Sequence, residues 1–176
     1  IPLSQVELDP EIADRSYQTE AIRRVTEAIG DARRKFLLVM ATGTGKTRTV
    51  ISLMDLLLRA RRAQRILFLA DRRELVRQAM TAIKDYLPQE SLGRIEGGEI
   101  PGAARIQVAT YPSMMRSFSS ISPGYYDLII ADESHRSIYN RYKAIFDHFD
   151  ALQLGLTATP TDFIDHNTFD LFGCDD

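Results

Sequence analysis

The sequence predicts an α/β fold, a mostly parallel, doubly wound sheet with helices on both faces, and three observations lead to it. Short apolar runs such as Leu128-Ile129-Ile130-Ala131 lack polar alternation, as strands buried on both faces do. Between these runs lie stretches with apolar residues at helical spacing, and strand alternating with helix implies βαβ units. The polar motifs follow directly after apolar runs. Right-handed crossovers bring every strand's C-terminal end to one edge, so these motifs can converge on one crevice.

In chain order, residues 1–14 carry Pro2 and Pro10, show little periodicity and read as an arm ahead of the domain, which spans 15–176. From Tyr17 to Ile29, Ala21, Ile22, Val25, Ala28 and Ile29 fall at helical spacing, and Gly30 supplies a stop. The run Phe36 to Met40 is a strand that ends in Thr42-Gly43-Thr44-Gly45, and a helix pattern follows from Lys46 to about Arg59. The alternation then repeats, with Ile66 to Ala70 as strand and Arg72 to Tyr86 as helix. Pro88 to Gly102, bearing Gly93, Gly97, Gly98 and Pro101, reads as loop. Strand Ile106 to Ala109, short helix Pro112 to Met115, strand Tyr126 to Ala131, helix Ile138 to Phe149 and strand Leu152 to Leu156 complete the pattern.

At 176 residues with 44% hydrophobic side chains, the chain closes one core and is too short for two. Its net charge of -2 excludes the global basic field of small non-specific DNA binders, so any nucleic-acid contact is a local patch. The single cysteine, Cys174, excludes an internal disulfide framework and a multi-thiolate metal site, which fits a reducing cytoplasm. No apolar run approaches the ~18 residues of a membrane span and no secretory pattern opens the chain. A soluble intracellular protein without membrane partners is expected. The chain begins at Ile1 and stops soon after a motif, so a piece of a larger protein is expected.

Met40-Ala41-Thr42-Gly43-Thr44-Gly45-Lys46-Thr47 lies between a predicted strand and a predicted helix, the context that gives a Walker A pattern physical meaning. Backbone N–H groups of such a loop, with the helix N-terminus behind them, point at phosphates. Lys46 is expected to reach the β and γ phosphates and Thr47 to ligate Mg²⁺ through its hydroxyl. Met40 stands where the pattern's first Gly would be, but Gly43 and Gly45, which wrap the phosphates, are present. A second motif, Asp132-Glu133, follows an apolar strand. Asp132 suits an indirect, water-mediated Mg²⁺ contact and Glu133 the polarisation of an attacking water.

Asp132-Glu133-Ser134-His135 resembles motif II of superfamily 2 helicases, Thr157-Ala158-Thr159-Pro160 resembles their motif III, and Ala41 to Thr47 resembles their motif I. Within that superfamily the chain is similar to the motor part of the restriction (R, or HsdR) subunit of type I restriction enzymes. The phrases Arg15-Ser16-Tyr17-Gln18, Phe68-Leu69-Ala70-Asp71-Arg72 and Leu154-Gly155-Leu156-Thr157 carry that likeness alongside the motifs. The resemblance implies a three-layer α/β/α P-loop (RecA-like) lobe, ATP and Mg²⁺ as cofactors, and double-stranded DNA as the track. It also implies a second RecA-like lobe supplying an arginine finger, a nuclease domain in the same subunit, and modification (M) and specificity (S) subunits as partners. Gln18 becomes the adenine reader, since its amide donates and accepts at once and so matches the N6/N7 edge. His135, Thr157 and Thr159 become the residues that couple hydrolysis to movement. The strand Leu152 to Leu156, last in sequence, is expected between Phe36–Met40 and Leu128–Ala131.

For DNA, Arg72 and Arg73 at a helix start and Thr110-Tyr111 at a strand end are expected to grip phosphates without reading bases. Arg72 and Arg73 also fit a plain solvated helix face. Arg23-Arg24, Arg33-Arg34 and Arg61-Arg62 read as solvated faces, and His148 and His166 as structural or surface residues. A stand-alone superfamily 2 helicase, a type III restriction subunit, and a nucleic-acid-binding module with a vestigial ATP site stay open as alternatives.

Overall fold

The computed structural model describes residues 7–9, 16–32, 34–40, 45–134 and 136–157, without the side chains of 16–18 and 136. Within them the elements are α1 (Ser16–Gly30), β1 (Lys35–Val39), α2 (Lys46–Arg59), β2 (Ile66–Ala70), α3 (Arg73–Tyr86), β3 (Leu92–Arg94), β4 (Ile106–Thr110), α4 (Tyr111–Ser117), β5 (Leu128–Ala131), α5 (Arg136–Arg141), α6 (Lys143–His148) and β6 (Leu152–Thr157). One sheet of order β1-β6-β5-β2-β4-β3 holds all six strands, and every pairing between them is parallel. The last strand therefore sits between β1 and β5, as the resemblance implied.

Alternation along the strands sorts side chains into two cores. Phe36, Leu38, Ile66, Phe68, Ile106, Val108, Leu128, Ile130, Leu154 and Leu156 face α1, α2 and α3. Leu67, Leu69, Ala109, Ile129 and Ala131 face the other way, onto α4, α5 and α6. This is the three-layer α/β/α arrangement, with period-2 strands between two helical layers. Helix α2 is buried along Thr49–Leu58 because it lies against the sheet with α1 and α3 beside it. The arm over 1–14 falls mostly outside the described residues; Arg59 Nη2 donates to the Glu7 carbonyl at 2.7 Å, and Leu8 packs on the core.

Two segments differ from the sequence expectation. Pro88 to Gly102 is not all loop, since Leu92–Arg94 forms the edge strand β3 beside β4. Three residues with a central glycine show no periodicity. Gly93 is required there, because a Cβ would lie 2.5 Å from Pro101 Cγ. The expected helix Ile138 to Phe149 is two helices broken at Tyr142, whose φ of -111° and ψ of 22° leave the helical region. The break accompanies the packing of Tyr142, which stacks on Tyr111 with ring centroids 5.0 Å apart and 11° between planes. Smaller differences concern ends: Tyr126 precedes β5 and donates its hydroxyl to Gln107 Oε1, and α4 extends on both sides of Pro112–Met115.

Candidate functional site

The C-terminal edge of the sheet assembles the site. β1 stops at Val39, and the Met40 amide donates to the Thr157 carbonyl at 3.0 Å, so the exits of β1 and β6 lie side by side. Thr42, Gly43 and Thr44 lie outside the described residues, as do His135, Thr159 and the side chain of Gln18. At Gly45 the backbone is left-handed, φ 81° and ψ 27°, a conformation that favours glycine. Gly45 is the N-cap of α2, and its carbonyl accepts from the Thr49 amide and hydroxyl, both at 3.0 Å. Thr47 is exposed on the first turn.

β5 delivers the carboxylates. The Asp132 amide donates to the Leu69 carbonyl at 2.8 Å, and the Ser134 amide donates to the Leu156 carbonyl at 2.7 Å. Between them Glu133 adopts a left-handed backbone, φ 54°, with its amide donating to Asp132 Oδ1 at 2.9 Å. Such a conformation in a non-glycine residue costs on the order of 1–3 kcal/mol and clusters at functional sites. Gly155 on β6 makes room for this turn, since a Cβ there would stand 2.9 Å from Ser134 Oγ.

Lys46 brings the two motifs together. Its Nζ lies 2.9 Å from Asp132 Oδ1 and 3.5 Å from Glu133 Oε1; the Lys46 side chain is 15% exposed, that of Asp132 11% and that of Glu133 44%. Burial by itself would lower the Lys46 pKa, but the Asp132 carboxylate, through charge and hydrogen bond, and then Glu133 outweigh it and raise the value. Lys46 therefore carries its charge throughout the neutral range. Among the described residues no cluster of three His, Cys, Asp or Glu side chains could cage a metal.

Beside this centre opens a polar cleft of about 260 Å³ lined by Arg73, Arg94, Arg116, Asp71, Glu96 and Thr110, among others. Arg72 is exposed at the N-cap of α3 and is not among the lining residues. Thr110 does line it, but its Oγ1 also accepts the Ser113 amide at 3.2 Å and so caps α4. Tyr111 differs from expectation: it is fully buried, and its hydroxyl donates to the Asp132 carbonyl at 2.7 Å instead of facing outward. Sequence reading missed Arg94 and Arg116. Arg94 sat in a tract read as loop, and Arg116 lies past the residues read as a short helix and in no motif; the pairing of β2 with β4 brings Arg116 near Arg73, and that of β3 with β4 adds Arg94.

A parallel sheet with its last strand inserted beside the first, a glycine-opened helix after β1 and paired carboxylates after β5 define a helicase-like P-loop lobe. The model of the family described as "Type III restriction enzyme, res subunit" matches residues 11–162, and the chain belongs to that family. It is 38% identical over 170 residues to the EcoAI type I restriction endonuclease subunit of Escherichia coli, covering 90% of this chain and 21% of that protein. It is also 38% identical to the EcoKI endonuclease subunit of E. coli K12, covering 85% of this chain and 15% of that one. The fragment structure of a putative HsdR subunit from Vibrio vulnificus YJ016 superposes with a TM-score of 0.73 at 27% identity, covering 98% of this chain and 31% of that structure. The chain thus spans about a fifth or less of these two relatives, and it is homologous to that segment of type I restriction subunits.

Proposed function

We propose that this chain is the ATP-binding lobe of the motor in a type I restriction R subunit, coupling ATP hydrolysis to movement along double-stranded DNA. The observation that carries the reading is Lys46, at the start of α2, held against Asp132 and Glu133 at the end of β5. The residues present fit a nucleotide with its metal. A helix N-terminus opened by a left-handed glycine, a charged lysine and an exposed Thr47 hydroxyl make a donor set for a triphosphate. Thr47 and Asp132 would hold Mg²⁺, whose charge would offset that of the phosphates. Thr42, Gly43 and Thr44 would add backbone donors, and Gln18 would read adenine. Glu133, more exposed than its neighbour, would accept a proton from water at its carboxylate. Lys46 would exchange a carboxylate partner for phosphate oxygens, which frees Glu133 to act as base.

Residues 15–176 would form the first RecA-like lobe, after the arm over 1–14. A second lobe and a nuclease domain would belong to the same subunit, M and S subunits would complete the enzyme, and the assembly would work in a prokaryotic cytoplasm. No described helix is long and apolar enough to cross a membrane. His135, Thr157 and Thr159 would couple hydrolysis to movement; Thr157, buried at the end of β6 and bound through its carbonyl to Met40, links the exit of β6 to that of β1. The cleft of Arg73, Arg94, Arg116 and Thr110, with Arg72 next to Arg73 in the chain, would seat the DNA backbone.

Two experiments test this reading. Phosphate release by the intact subunit is expected to rise with duplex DNA, whereas the 176-residue chain alone is expected to fall short of it by about 10³ to 10⁵, the usual effect of a missing arginine finger. Equal turnover by the chain alone would contradict the division of labour. Replacing Arg94 or Arg116 by alanine is expected to weaken DNA binding alike for all sequences and to flatten the log–log salt slope by about 0.9 for each phosphate no longer neutralised. An unchanged slope would remove the cleft from the DNA path.

A further inference from the structure

Besides the Glu133 amide, which donates to Asp132 Oδ1, the peptide units around the strained Glu133 are held from neighbouring elements at three points among the described residues. Two are sheet-like, the Asp132 amide to Leu69 on β2 and the Ser134 amide to Leu156 on β6. The third is the hydroxyl of Tyr111, which donates to the Asp132 carbonyl at 2.7 Å. Tyr111 belongs to α4, which borders the arginine-lined cleft, while Leu69 stands on β2 two residues before Asp71, which lines the cleft as well. Thr110, the neighbour of Tyr111 in sequence, lines the cleft, and so do Ser113 and Arg116 on the same helix α4. The tyrosine ring is fully buried and stacked on Tyr142, so it has little freedom to absorb a shift of α4. Ser113 Oγ in turn reaches the Ile95 carbonyl at 3.4 Å, which ties α4 to the chain leaving β3 at the far side of the cleft.

We propose that Tyr111 is a positioning residue through which engagement of the DNA backbone in the arginine-lined cleft sets the Asp132–Glu133 pair for hydrolysis. The inference rests on reading that cleft as the seat of DNA. Contact at Thr110 or Arg116 bears on α4, and α4 reaches the carboxylates through one buried side chain and one hydrogen bond. In a packed interior a shift of this kind is transmitted and not absorbed. Tyr111 touches neither nucleotide nor DNA; its role is to fix the carbonyl on which the backbone of the catalytic pair turns.

The test is Tyr111→Phe in the intact subunit, which removes one oxygen and keeps the stacked ring. DNA-stimulated kcat is expected to fall about tenfold, with the KM for ATP and the affinity for duplex DNA within about twofold of wild type, since misplacement of a catalytic group costs rate more than binding. The ratio of stimulated to unstimulated turnover is the decisive readout, because a merely structural tyrosine would lower both rates together. Should Tyr111→Phe fail to fold, Tyr142→Leu keeps the hydrogen bond but removes the ring stacked on Tyr111. A smaller loss of stimulation at unchanged KM is then expected. Unaltered stimulation in a folded variant, or equal loss with and without DNA, overturns the role of Tyr111. Absence of any DNA stimulation in the wild type would instead overturn the motor reading beneath it.

Discussion

Glu133→Gln in the intact subunit is expected to lower ATP turnover by about 10² to 10⁴, the usual contribution of a positioned general base. Nucleotide affinity and melting temperature should stay near those of the wild type. The Glu133 side chain is loosely held. Its carboxylate is 44% exposed and lies 3.5 Å from Lys46 Nζ, beyond a good hydrogen bond, so neutralising it removes little from the fold. The left-handed backbone at Glu133 is as available to glutamine as to glutamate, and its amide keeps Asp132 Oδ1. Loss of rate with retained binding separates a base from a phosphate ligand. Single-turnover hydrolysis beside equilibrium nucleotide binding checks it, and a variant that hydrolyses at wild-type rate would remove Glu133 from the chemistry.

Lys46→Ala is expected to do two things at once, abolishing hydrolysis and lowering the melting temperature of the chain by several degrees. The sequence suggests only the first, since a phosphate-binding lysine reads as a solvated residue whose removal leaves the fold in place. The structure corrects this. Lys46 is 15% exposed and pairs at 2.9 Å with the nearly buried Asp132, so its loss leaves that carboxylate without its cation, with the Glu133 amide still donating to Oδ1. Leaving a buried polar group without its partner costs about 1–3 kcal/mol. In a domain of this size each kcal/mol is about 2–4 °C. Asp132→Asn added to Lys46→Ala should recover part of the loss, as coupled neighbours do. Because folding raises the Lys46 pKa, the pair's contribution is complete below the ordinary lysine value and fades as pH climbs through the raised one. The melting difference should therefore persist across neutral pH and shrink only in strong alkali. Equal melting of wild type and Lys46→Ala would show that Asp132 does not depend on Lys46.

That correction marks where the sequence stops being legible. Periodicity sufficed for elements whose reasons are local: α2 begins at Lys46 after a glycine, and β2 is an apolar run bounded by polar residues. Strand order is not local. The insertion of β6 between β1 and β5 came from the resemblance carried by the motifs, because hydrophobic spacing along Leu152 to Leu156 says nothing about neighbours. The positions of Lys46 at the start of the helix after β1 and of Asp132-Glu133 at the exit of β5 were legible, because each follows an apolar run that marks a strand. The burial of Lys46 was not, since it depends on two strand exits meeting across the sheet. Tyr111 shows the same limit: beside Thr110 it reads as a surface contact, yet the start of α4 turns it inward to Asp132. Arg94 stayed hidden because an edge strand of three residues around a glycine leaves no pattern to read.

The measurement closest to the central claim is an equilibrium titration of the intact subunit with ATP, with and without Mg²⁺, for wild type, Lys46→Ala and Glu133→Gln. Saturable, Mg²⁺-strengthened binding is expected in the wild type and in Glu133→Gln, and at least about a tenfold loss in Lys46→Ala, the equivalent of one charge-assisted contact. No binding by the wild type, or equal binding by wild type and Lys46→Ala, would contradict the assignment of Lys46, Thr47 and the Asp132–Glu133 pair as an ATP site.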